Sequence, residues 1–432
     1  MKLKALELLF AFAFAGVFRS SESVGFRGFR FEGLEEPVVA RSARAPSVGW
    51  ITQPVDHFNP RDNRTWSMRY YENDQFLSEP NAPILIMLGG EWAISAGWLQ
   101  SGQMYNLAST HGAMLYYTEH RYYGQSYPMG DMSSENLQYL NVDQALADVA
   151  YFIDTKKKER NLENSTVVVF GGSYAGNMAA WARLKYPHLI KVVFNIKINT
   201  PINACQLNPR FLINYRVHWL AALQFSPKLT LTIFAGIVQY DSIDSTGQSS
   251  IGQVCDIMTA KYLGSALQRL AYLTSGTSCN NLSYQSMVDT YTDIEWVRSW
   301  FYQTCTEYGY YQTTNSDSSV FGTLFPVEFF TQLCTDLYGE YYDENLLNLS
   351  VDRTNIVYGG WSPDVTNVIF TNGDIDPWHV LSVLKDVNES SPAILVNGTS
   401  HCQDLYSDLA TDSAEMTAAK ARIRKIVGEW LS

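Results

Sequence analysis

The chain has 432 residues, of which 46% are hydrophobic and 17% charged, enough apolar material for a large core in one big domain or two. Its formal net charge of −12 argues against binding nucleic acid or an anionic membrane surface. No Cys-x-x-Cys or His-x-x-x-His spacing occurs, so neither a metal nor another cofactor is expected.

Residues 1–20 read as a signal peptide, with Lys2 and Lys4, an apolar run from Leu8 to Val17 and an Ala13-x-Ala15 cleavage pattern. That run is too short to span a bilayer, and no other segment is long and apolar enough, so no span is expected in the mature chain. Residues 21–48 are arginine-rich and aperiodic, and read as a linker or as a propeptide cut near Arg41-Ser42-Ala43-Arg44. Six Asn-x-Ser/Thr sequons, at Asn63, Asn164, Asn281, Asn348, Asn388 and Asn397, fit passage through the secretory pathway. Six cysteines fit disulfides formed there, among fifteen pairings. The expected location is secreted or lysosomal.

From residue 49 to about 190, buried strands alternate with amphipathic helices. Pro83 to Leu88, Ala113 to Tyr117 and Thr166 to Phe170 are apolar runs of strand length. Val142, Ala145, Leu146, Val149, Phe152 and Ile153 keep the 3.6-residue spacing of a helix lying on a sheet. The alternation predicts a mostly parallel sheet with helices on both faces. It stops near Leu189 and resumes near Asn367. Residues 191–360 carry helical patterning, many aromatics and every cysteine except Cys402, and read as a helical cap inserted into an α/β-hydrolase core that resumes over 361–432. Cys305 and Cys334, both late in the cap, are the expected disulfide.

The chemistry is written at Gly171-Gly172-Ser173-Tyr174-Ala175-Gly176, between a strand-like and a helix-like run. Small residues around Ser173 permit a sharp strand-to-helix turn that lifts its hydroxyl out of the sheet. The Tyr174 N–H then faces a reacting carbonyl, at a helix start where partial positive charge favours an oxyanion. The bland alternative is a glycine-rich turn with a helix-capping serine. A nucleophile needs a base, and in folds with this elbow the order is Ser, acid, His. Of the seven histidines, His57, His111 and His120 precede Ser173. His188 closes the nucleophile helix, His218 lies in the insert, and His379 shares the loop of the acid. His401 remains, beyond the apolar run Ala393 to Val396. Asp376, pinned by Pro377, is the expected acid, with Asp374 as the alternative. A second oxyanion donor should follow an early strand, at Gly90 or Glu91, and one such donor supplies about 3 kcal/mol.

The chain resembles the serine exopeptidases that include prolyl carboxypeptidase, dipeptidyl peptidase II and thymus-specific serine protease, and is most similar to the thymus-specific branch. The matching stretches include Gln53 to Phe58, Glu119 to Ser126, Gly171 to Pro187, Tyr302 to Gly309, Asn372 to Trp378 and Gly398 to Cys402. The resemblance runs from about Gly49 to the C-terminus, and it implies a triad of Ser173, Asp376 and His401. It also implies peptide substrates cut next to proline, by a carboxypeptidase or dipeptidyl peptidase, in an acidic compartment. A closed cap favours short or terminal peptide segments over folded proteins. Trp378 is a candidate wall for a proline ring or a packed structural tryptophan; Glu307 is a candidate for binding a substrate amino terminus or a carboxylate that holds the fold. A carboxylesterase or lipase, and a catalytically impaired binding protein, are the alternatives on this fold. A homodimer is left open.

One stretch departs from these relatives. They carry a buried strand ending in small residues, whereas here Phe194, Ile196 and Ile198 alternate with Asn195, Lys197 and Asn199, a half-exposed pattern. Burying those polar residues in a central strand would cost several kcal/mol. Residues from about Asn195 to Thr230 are therefore expected to leave the sheet early.

Overall fold

The computed structural model describes residues 36–40, 44–78, 80–195, 234–243, 247–273, 284–315 and 325–431. The expected signal peptide, most of the linker, Cys205, His218, Cys279 and Asn281 lie outside the described residues.

One eight-stranded sheet organises the chain. Its strands are β1 (Ser47–Pro54), β2 (Thr65–Asn73), β3 (Ile84–Leu88), β4 (Met114–Thr118), β5 (Val167–Gly171), β6 (Val192–Asn195), β7 (Val368–Gly373) and β8 (Ala393–Val396), in the order β1-β2-β4-β3-β5-β6-β7-β8. β1 and β2 pair antiparallel, as do β2 and β4; every other pairing is parallel. Every residue of β3, β4, β5 and β7 is buried, which explains their unbroken apolar runs, since a parallel sheet is covered on both faces.

Alternate residues of each strand serve opposite layers. Ile84, Ile86, Val167 and Val169 pack with Leu146, Phe152, Met178 and Trp181, from helices α2 (Val142–Glu159) and α3 (Tyr174–Lys185). Leu85, Met87, Val168 and Phe170 pack on the other face with Met104, Leu107, Ile423 and Val427. Those come from α1 (Gln103–His111) and the C-terminal helix Ala414–Leu431. The six spaced apolar residues of α2 are all buried. Asn141 caps that helix by accepting from Gln144 N–H at 3.0 Å, and lysines fill its last turn, where they complement the helix dipole.

Between β6 and β7 the described chain is helical: residues 234–239, α4 (Ser250–Thr259), α5 (Ala266–Leu273), α6 (Tyr284–Asp293), α7 (Glu295–Gln303), a π turn (Thr304–Tyr308), α8 (Val327–Tyr338) and α9 (Glu344–Tyr358). The C-terminal helix is therefore α10. The cap is seated on the loop after β4, where Tyr122, Tyr123 and Leu137 join Met287, Val297, Leu333 and Leu337 in one apolar cluster. Cys305, in the π turn, is disulfide-bonded to Cys334 of α8, the pairing expected from sequence. β6 ends at Asn195, and the expected early exit from the sheet otherwise concerns residues outside those described. No helix among the described residues is long and apolar enough to cross a membrane.

Candidate active site

Ser173 stands between β5 and α3 with φ 57° and ψ −129°, a conformation non-glycine residues avoid. The turn depends on Gly171, where an added Cβ would lie 2.1 Å from the Ala175 carbonyl oxygen. Ala175 itself is fully buried, so a methyl group fits where the commoner pattern has glycine. Although Ser173 occupies the N-cap position of α3, its side chain makes no capping hydrogen bond. The helix-cap alternative therefore loses its support, and the half-buried hydroxyl is not committed to the helix.

Asp376 and His401 are brought together. β7 delivers the first, just past its carboxyl end; the second follows β8, and Nδ1 of His401 lies 2.7 Å from Oδ2 of Asp376. Gly373 permits the approach, because a Cβ there would come within 2.1 Å of the Thr399 carbonyl. Oδ1 of Asp376 accepts from the Trp378 backbone N–H at 3.0 Å. An ionised carboxylate only accepts, so the imidazole proton sits on Nδ1 and leaves Nε2 basic. Asp376 and His401 are each 2% exposed, where a charge-assisted bond is strongest. Asp374, the alternative acid, is exposed and accepts instead from Gly398 N–H at 2.7 Å, tying the acid loop to the histidine loop.

Tyr174 opens α3 with its ring buried. On the loop after β3, Gly89 N–H is spent on the Thr118 carbonyl at 2.7 Å, so the loop is anchored one residue before Gly90. A Cβ on Gly90 would press to 2.9 Å from the Trp92 ring. Glu91 is half-buried beside it. The indole N–H of Trp378 donates to Gln239 Oε1 at 2.9 Å, and the residue is half-buried. Glu307 is 3% exposed; its oxygens accept from Val142 N–H at 2.7 Å and from Gln303 at 3.3 Å. Those are the contacts of a carboxylate that holds the fold, and burial pushes its pKa up to about 7. Five sequon asparagines, all but Asn281, are exposed, although Asn388 spends its amide N–H on the Val365 carbonyl.

Three features escaped the sequence reading. Gln239 clamps the site from the cap: its carbonyl accepts from His401 N–H at 3.1 Å while its side chain holds Trp378. The neighbouring Val238 carbonyl accepts from Ser400 Oγ at 2.7 Å, and the Tyr240 ring stands edge-on to His401. Asp404 is buried near Asp376; burial pushes it up to about 7, opposed by Lys420 and reinforced by Asp376. His120, set aside because it precedes the nucleophile, bonds the Tyr174 hydroxyl. Spatial contact across 54 residues leaves no sequence signal.

A mostly parallel sheet, a serine on a strained turn after β5, and an acid and a histidine after β7 and β8 define an α/β-hydrolase fold with a helical cap. The serine carboxypeptidase S28 family matches residues 53–196 and 221–423, and the chain belongs to that family. It is a serine-type peptidase. It is 33% identical to the thymus-specific serine protease of Mus musculus, over 89% of this chain and 88% of that one. It is 27% identical to the lysosomal Pro-X carboxypeptidase of Bos taurus, over 89% and 88%. Among solved structures, epoxide hydrolase A of Mycobacterium thermoresistibile aligns over 89% of this chain and 98% of its own, with a TM-score of 0.38 and 11% identity.

Proposed function

We propose that this peptidase is an exopeptidase that releases short or terminal peptide segments next to proline through a Ser173–His401–Asp376 triad. His401 Nε2 takes the Ser173 proton as the hydroxyl attacks the scissile carbonyl. The oxyanion is held by the Tyr174 N–H and by Gly90 or Glu91 N–H. His401 then gives its proton to the leaving amine, and water resolves the acyl-enzyme by the same route in reverse. Asp376 holds the tautomer and stabilises the imidazolium. The observation that carries this reading is the buried His401–Asp376 bond, formed beyond the strand ends that also present a non-capping serine.

The cap supports exopeptidase action, since Trp300, Gln303 and Tyr308 pack against Tyr174 and Gln239 and Tyr240 against His401. Proline as the neighbouring residue is supported by the name of the Pro-X relatives. Exposed sequons and the signal-like N-terminus support a secreted or lysosomal location. Cleavage of a mixed peptide library from acidic to neutral pH tests the specificity: products should be short terminal pieces with proline beside the cut. Internal cuts in long peptides, or no enrichment of proline, would refute it.

A further inference from the structure

A chain of buried side-chain hydrogen bonds runs from the cap to the residue after the nucleophile, and its donor directions are fixed by chemistry. His120 Nδ1 lies 2.7 Å from the Arg121 carbonyl, which only accepts, so Nδ1 carries the proton. Burial pushes the His120 pKa down to about 4, which keeps the ring neutral and Nε2 an acceptor. The Tyr174 hydroxyl, 2.8 Å away, therefore donates to Nε2 and must accept from elsewhere. Gln303 Nε2, from the end of α7 in the cap, supplies that donor at 2.7 Å. The Gln303 amide is itself oriented, since Oε1 accepts from Tyr123 O–H at 2.6 Å and Nε2 donates again to Glu307 at 3.3 Å. Glu307 in turn anchors on Val142 N–H, the first residue of α2. Tyr174, Tyr123, His120, Gln303 and Glu307 are each at most 5% exposed.

This network grips the one side chain whose backbone N–H follows the strained Ser173. The Tyr174 ring is enclosed as well, with His120 and Trp300 tilted against it and Tyr308 edge-on. Core loop, nucleophile helix and cap all meet at one hydroxyl. An oxyanion donor works only when it is preorganised, and removing one donor outright costs about 10²–10³ in kcat. A Tyr174 amide free to drift would lose part of that.

We propose that Gln303 and His120 are positioning residues: through the Tyr174 hydroxyl they set the Tyr174 N–H for the oxyanion, so that the hole is complete only when the cap is docked. This rests on the triad reading given above. The tests are Gln303→Leu, Tyr174→Phe (which removes only the hydroxyl and keeps the ring) and the pair His120→Leu and His120→Gln. The glutamine keeps an uncharged acceptor where Nε2 stands. Active sites are counted by fluorophosphonate titration, so that a loss of folded protein is separated from a loss of function. Kinetics on a proline-containing peptide are then compared with inhibition by a peptidyl aldehyde, whose tetrahedral adduct needs the oxyanion hole, and by the product peptide, which does not.

Per titrated site, Gln303→Leu, Tyr174→Phe and His120→Leu should lose about 10- to 100-fold in kcat. Aldehyde affinity should fall in parallel, with KM and product affinity within about threefold, and His120→Gln should recover most of the loss. A kcat and aldehyde affinity within about twofold of the parent in Tyr174→Phe would overturn the proposal, as would equal damage from both His120 substitutions. A parent protein that takes no fluorophosphonate at Ser173 would overturn the triad reading itself, a distinct result.

Discussion

Replacing Glu307 by glutamine should make the protein more stable at neutral pH and leave it almost unchanged in acid. Glu307 is buried, and that burial raises its pKa from 4.5 to about 7. Between those values the folded state holds a proton that the unfolded chain has released. The contribution to stability is therefore full below about pH 4.5 and is lost as pH rises through 7. A shift of that size corresponds to roughly 3 kcal/mol. Glutamine imitates the protonated acid at Oε1, where its oxygen still accepts from Val142 N–H, and nothing ionises; only the long bond from Gln303 to Oε2, at 3.3 Å, is lost. Asp404, also raised to about 7, has the same sign, whereas His120, lowered to about 4, opposes both between there and its ordinary value. Two carboxyl protons against one imidazole leave the parent losing stability from weakly acidic to neutral pH. Thermal unfolding of parent and variant at pH 5 and pH 8 reads the difference. The gap between their midpoints should widen in favour of the variant by roughly 3–6 °C, given the weak temperature response of a large chain. Midpoints that move in parallel across that range would mean that Glu307 stays ionised throughout.

Other substitutions separate roles that lie close together in the chain. Asp376→Asn should cost about 10⁴-fold in kcat with the fold intact, because the wrong imidazole tautomer is then favoured. Asp374→Asn should cost little, since the Asp374 side chain accepts from Gly398 N–H and is exposed; the reverse order in steady-state kinetics would reassign the acid. Replacing Cys305 and Cys334 together by serine opens a loop of 29 residues and should destabilise by about 3–4 kcal/mol on the chain-entropy model, seen in denaturant unfolding; an unchanged midpoint would contradict it. The family match leaves residues 197–220 uncovered, a gap that begins within the polar alternation of Phe194 to Asn199, which is foreign to a central strand. Replacing it with a small-residue strand ending and a longer cap should raise secretion and specific activity; a parent already secreted, monodisperse and fully active would dismiss this idea.

What was legible in the sequence followed from burial on both faces. The unbroken apolar runs of β3, β4 and β5, and the helical spacing of α2, admit one reading each. β1 and β2 were not singled out as strands, because at the antiparallel edge neither forms an unbroken buried run. A candidate acid and base could be named because chain order and scarcity leave few choices. The supports of the site could not. Gln239 acts largely through its main-chain carbonyl, which every residue has, and the bond from His120 to Tyr174 depends on β4 and β5 flanking β3. Glu307 had two roles open, and its bonds to Val142 and Gln303 could not be read from sequence.

Covalent labelling separates Ser173 as nucleophile and His401 as its base from every other assignment. The secreted protein is treated with a fluorophosphonate, digested and mapped by mass spectrometry, alongside Ser173→Ala and His401→Ala. One adduct is expected, on Ser173, absent from Ser173→Ala and slowed at least roughly 10³-fold in His401→Ala, with peptidase activity lost in step and no greater loss in the double variant. An adduct on another serine, or peptide hydrolysis surviving in Ser173→Ala, would contradict that assignment.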